Sequence, residues 1–225
     1  MATVVTVRWL TPPPSSIDER LTVTDDGRVR LEVLRPRAHA DSIGTYAGSI
    51  EGSEIHELSA TGPQVELNVV VPDPAVAAVG VLAGRVAERL RDSPVAVAQF
   101  FARAVGDASA AGASIAIGVV GRGTQPVEFE LDVAQCAIHF SAAGMPISWS
   151  PLPELPIGFM TPDAEGLGGV RQRATVPPGV LGAISVQVPV PDGAQEVSAQ
   201  LVGRWFLPSD PMPAQFEART EPAGW

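Results

Sequence analysis

"DPAVAAVGVLAGRVAERLRDSPVAVAQFFARAV", Asp73 to Val105, decides how this chain is read, because the sequence on either side of it alternates with the two-residue period of β-structure. Within it the period changes. Asp73 is an N-cap residue, Pro74 takes the first helical position, and Val76, Val79, Leu82, Val86 and Leu90 recur at helical spacing. Ser93 and Pro94 repeat that punctuation, and Gly106 follows "PVAVAQFFARAV" as a C-cap. The spacing predicts two helices, about 74–91 and 94–105, forming an antiparallel hairpin packed on a sheet. Gly80 and Gly84 allow a neighbouring element to approach closely.

Upstream, Val5, Val7 and Trp9 alternate with Thr6 and Arg8, as in a strand with one buried face. In "ERLTVTDDGRVRLEVL" the apolar residues fix a hairpin register, since residues directly opposite in a hairpin share a side of the sheet. A two-residue turn at Asp26-Gly27 sets Val23 against Arg30. A three-residue loop, Asp25-Asp26-Gly27, instead pairs Val23 with Val29, Leu21 with Leu31 and Arg20 with Glu32, and it puts Gly27 in the left-handed position of a G1 bulge. Further strands are expected at 43–50 and 64–71, with a helical turn in "SEIHEL" between them.

Downstream of "GDASAAGAS" (106–114) the expected strands are 114–120, 126–133, 136–140, 170–176, 183–190, 196–206 and 214–219. Seven short strands with Gly- and Pro-rich turns suggest a sandwich or a related barrel. The fold class expected is therefore α+β, mainly antiparallel β with a central helical hairpin: a strand-rich portion over 1–110 and an antiparallel β-sandwich-like portion over 111–225.

Composition excludes several functions. All 15 basic residues are arginine, so Schiff-base chemistry, a P-loop lysine and a Ser–Lys dyad are absent. A net charge of −10 opposes nucleic-acid binding, which depends on a concentrated positive field. The run "RVRLEVLRPR", with Arg28, Arg30, Arg35 and Arg37, lacks interleaved aromatics and reads as the solvated face of a strand. Cys136 is the only cysteine, which precludes an intrachain disulfide. "MATVVTVRWL" lacks a basic n-region and an uninterrupted apolar h-region, so no signal peptide is expected. The most apolar window, 65–82, is broken by Glu66, Asn68 and "PDP", which rules out a membrane helix there. The expected location is the cytoplasm.

No motif of catalysis, metal binding or cofactor binding is legible, and no such residues or cofactors are assigned. Cys136 and His139 form C-x-x-H, but in a strand their odd spacing points them to opposite faces. His39 and Asp41 share a strand face in a loop-like stretch, and His56 stands alone. Glu128, Glu130 and Asp132 make an acidic row, read as a solvated, self-repelling face that discourages edge pairing. "TPDAEGLGG" (161–169) lacks the ligand spacing of a calcium loop.

One apolar segment calls for a cover, either the protein's own sheet or a partner. "SWSPLPELPIGF" (148–159) places three prolines among apolar residues, favouring an extended polyproline strap with three-residue periodicity. Leu152 and Leu155 share one face of it and Phe159 lies on another, making these three the candidate partner-binding residues, the leucines inward and Phe159 outward. The function expected is a non-catalytic cytoplasmic protein-interaction or assembly module, its partner another protein or a second copy. The alternative is a metal-independent hydrolase with a dispersed site around His39 or His139.

Overall fold

The computed structural model describes residues 2–11, 17–36, 42–67, 73–109, 112–152, 166–167, 171–206 and 213–224. Mostly β, it runs β1 (Thr3–Leu10), β2 (Asp18–Thr24), β3 (Arg28–Arg35), β4 (Ser42–Ser49), α1 (Gly52–Ser59), β5 (Gln64–Leu67), α2 (Pro74–Leu90), β6 (Pro94–Ser109) and β7 (Gly112–Gly123). There follow β8 (Val127–Asp132), a 3-10 turn (Val133–Gln135), β9 (Ala137–Ala142), β10 (Met145–Pro151), β11 (Gly166–Leu167), β12 (Arg171–Val176), β13 (Leu181–Val188), β14 (Glu196–Trp205), β15 (Ala214–Arg219) and β16 (Ala223–Gly224). None of the described helices is long and apolar enough to cross a membrane.

The β2–β3 hairpin has the register that parity requires: Val23 faces Val29, Leu21 faces Leu31 and Arg20 faces Glu32 across a three-residue loop. Gly27 lies at φ +79°, and its N–H donates to Thr24 O at 3.0 Å. A Cβ at Gly27 would sit 2.8 Å from Ile50 O, so the position excludes side chains by contact as well as by conformation.

One sheet runs β13-β7-β6-β4-β3-β2-β1-β5, antiparallel except for β1 with β5. Its β1–β4 portion is covered on one side by α1 and α2. There Val5, Val7, Leu21, Val23, Leu31 and Val33 pack with Leu58, Val79, Leu82, Val86 and Leu90 in an aliphatic core. Asp73 caps α2 as expected, its carboxylate accepting from Ala75 N–H at 2.8 Å, with Pro74 at the first turn. Arg91, at the other end of α2, donates to Glu19 at 2.7 Å; Glu19 is only 1% exposed.

The expected second helix is not formed. Residues 94–105 lie in β6, a central strand between β4 and β7. Ala96, Ala98, Phe100 and Ala102 are buried at every second position, while Val97 is buried on the opposite side with the α2 core. Ser93 closes α2 instead of opening a helix, its N–H donating to Leu90 O at 2.8 Å. Alanine favours a helix intrinsically, but a central strand takes small residues on the face that packs against a second sheet, and tertiary packing overrides the weaker preference. β6 and β7, on either side of residue 110, pair over Ala96–Val105 and Ser114–Gly123.

The second sheet is built around β14. The first half of β14 pairs with β9 and its second half with β8, so these two lie end to end along one edge, and β15 takes the other edge. β10 then flanks β9 and β12 flanks β8. A larger core between the two sheets is aromatic. Phe100 stacks on Phe216 at 5.8 Å and meets Phe129 edge-on at 5.4 Å, with Phe140, Trp205 and Leu201 around them.

Candidate docking edge

β9 gives one edge to β14 and the other to β10, and β10 has no second neighbour among the described residues. It is therefore an edge strand, presenting the unpaired half of its backbone groups outward. Ser148 and Ser150 oppose the core residues Phe140 and Ile138, whereas Trp149 opposes His139 on the outer face. A bulge between Pro146 and Ser148 leaves Ile147 as the extra residue. Pro146, Trp149 and Pro151 thus share the outer face. Trp149 is 64% exposed, Met145 is 70% exposed, and Ile147 is also open to solvent. No residue of β10 carries a charge.

This segment overlaps the expected strap, with a different local structure. Pro146 and Pro151 lie in a strand because an edge tolerates residues that cannot donate to a ladder on one side. Leu152 ends the strand with its N–H donating to Cys136 O at 3.0 Å and its side chain buried in the inter-sheet core. Leu155 and Phe159 lie outside the described residues, as do His39, Asp41 and most of 161–169. Three-residue periodicity singles out the prolines and leucines of this stretch and not Trp149. The signal that finds it is the two-residue alternation of Ile147, Trp149 and Pro151 with serines.

Behind Trp149 the outer face is polar. His139 shares a hydrogen bond with Gln200 at 3.1 Å, and Gln200 Nε2 donates to Glu217 at 2.9 Å. Burial lowers the His139 pKa from its ordinary value, and the Gln200 contact offsets part of that. The partner of His139 is an amide, so this contact joins it to neither a nucleophile nor a carboxylate. Cys136 faces the opposite way, into the inter-sheet core, where burial pushes its thiol up to about 11. The two side chains of C-x-x-H are separated by the sheet.

The acidic row needs correcting. β8 is interior, paired with both β12 and β14, and its carboxylates are matched by side chains around them. Glu128 pairs with Arg173, Glu130 accepts from Arg204 Nη2 at 3.0 Å, and Asp132 accepts from Gln135 at 2.7 Å. Glu130 is only 3% exposed. Arg173 also lies over the Phe206 ring at 4.5 Å. Cross-strand arginines neutralise Glu128 and Glu130, so the face is not self-repelling, while Asp132 keeps one buried oxygen without a partner among the described residues.

In sequence the chain matches no known protein-family model and no curated protein.

Proposed function

We propose that the protein is a non-catalytic assembly module of the cytoplasm, which associates with a second copy of itself through antiparallel pairing of β10 with β10. The two sheets, read as a sandwich, serve as the rigid support for this edge. The observation that carries the reading is an exposed, uncharged apolar edge strand centred on Trp149 in a chain of net charge −10. Two copies repel over most of their surface, and a strand without charges is where that repulsion is least. A two-fold antiparallel pairing is self-complementary and closes after one contact. Pro146 and Pro151 confine the new ladder to the residues between them, favouring a discrete dimer over an open fibre. Trp149 supplies the kind of large, weakly hydrated anchor that dominates interface energies. The single thiol, buried in the core, fits a reducing compartment.

Light scattering coupled to size exclusion, over a wide concentration range, tests this. The expected result is a dimer that dissociates on dilution and is lost in Trp149→Ser and in Ile147→Lys, with the melting temperature of the monomer unchanged. A wild-type chain monomeric at every concentration, or a dimer indifferent to both substitutions, overturns it.

A further inference from the structure

The arginine run of β3 presents a second surface, on the side of the first sheet opposite α2. The registers lay out its residues as a lattice. Thr6, Thr22, Arg30 and Ala47 form one row across β1 to β4, and Arg8, Arg20, Glu32 and Thr45 form the next. Neighbours across the strands are about 4.8 Å apart, and same-face neighbours along a strand lie roughly 6.6 Å apart. Thr22, Ala47 and Gly48 are short and make a floor, while Arg20, Arg28 and Arg30 stand around it. The resulting groove has a volume of about 560 Å³, within the range of small-molecule sites.

Its charge is opposite to that of the chain. Three guanidinium groups line it with the carboxylate of Glu32, and Asp26 beside Arg28 leaves a local excess of one positive charge, where the whole protein carries −10. The carboxylates at hand are already used. Arg20 Nε lies 3.0 Å from Glu32 and Arg28 Nε lies 3.1 Å from Asp26. Arg30 is exposed, and no ion pair or hydrogen bond reaches it among the described residues. It also stands two residues from Arg28 on the same face, an arrangement that like charges disfavour unless an anion lies between them.

From the unmatched Arg30, the short hydroxyl-bearing floor and the local excess of positive charge, we infer that this groove binds a small molecule bearing an oxyanion, phosphate or carboxylate. Arg30 and Arg28 hold the anionic group through charge-assisted hydrogen bonds, and Thr22 donates its hydroxyl from the floor. This site is separate from β10 and does not depend on dimerisation.

Amide shifts in a nitrogen-15 NMR titration test the inference, with sodium pyrophosphate and sodium succinate as probes at constant ionic strength. The expected result is saturable shifts centred on Thr22, Arg30, Ala47 and Gly48 with one or both probes. Pyrophosphate binding the tighter identifies a phosphate-bearing ligand, and succinate the tighter identifies a carboxylate. Arg30→Gln, which removes a side chain with no other hydrogen bond or ion pair among the described residues, should weaken binding by at least about tenfold, as expected for losing a charged contact. Thr22→Val should weaken it by a smaller factor. Shifts spread evenly over all the arginines, no saturation with either probe, or an Arg30→Gln protein that titrates like the wild type each overturn it.

Discussion

α2 and β6 are neighbours in the chain, similar in composition and opposite in structure. "PAVAAVGVLAGRVAERL" buries Val79, Leu82, Ala83, Val86, Ala87 and Leu90, a stripe that only a 3.6-residue period aligns. "PVAVAQFFARAV" buries Ala96, Ala98, Phe100 and Ala102, which only a two-residue period aligns. α2 lies on one face of a sheet and solvates the other side of itself. β6 has the aromatic core on one face and contributes Val97 to the aliphatic core on the other. The difference teaches that alanine content says little about secondary structure, and that the spacing of the bulky residues says more.

The sharpest way to break this comparison is Phe100→Ala. It removes the ring that stacks on Phe216 and abuts Phe129, and it is expected to cost about 3–5 kcal/mol in denaturant melts, as for buried aromatics generally. A loss below that of an ordinary surface substitution would mean that β6 does not anchor the inter-sheet core. Next is Arg91→Ala. It leaves Glu19 buried without the guanidinium at the end of α2, and a destabilisation of about 3 kcal/mol is expected. Adding Glu19→Gln should recover part of this. If the double variant is no better than the single one, the pair acts through packing and not through charge. The smallest effect is that of Asp73→Ala, which removes the α2 cap and should cost about 1 kcal/mol in the same melts. The matching change Ser93→Ala should leave β6 in place, because Ser93 closes a helix through its backbone and opens none.

Legibility in the sequence followed the range of the deciding interaction. The β2–β3 hairpin was readable to the residue because both strands and their loop lie within one short stretch and parity admits a single register. α2 carried its cap and its period locally, and β15 spans the expected 214–219. β6 is not legible locally because Ser93-Pro94 and Gly106 are local helix signals, whereas the neighbours that make it a strand are β4 and β7, on either side. β10 was missed because its prolines suggested a strap, and its pairing with β9 reverses that. At the candidate edge Leu152 is legible as an apolar residue of the strap, but Trp149 gains its meaning only from lying on an edge strand. The acidic row failed for the same reason, since Arg204 is 74 residues from Glu130.

The strand order also has a temporal consequence. The first sheet ends with β13, which pairs with β7 only after β8 to β12 of the other sheet have been passed in the chain. The second sheet in turn waits for β14, its central strand, which lies beyond β13. Neither sheet can be completed before the other is mostly laid down. Closing such long loops is entropically costly before any contact compensates for it. Folding is therefore expected to be slow and to pass through a populated intermediate, with the β2–β3 hairpin formed early and β13 and β14 docking late.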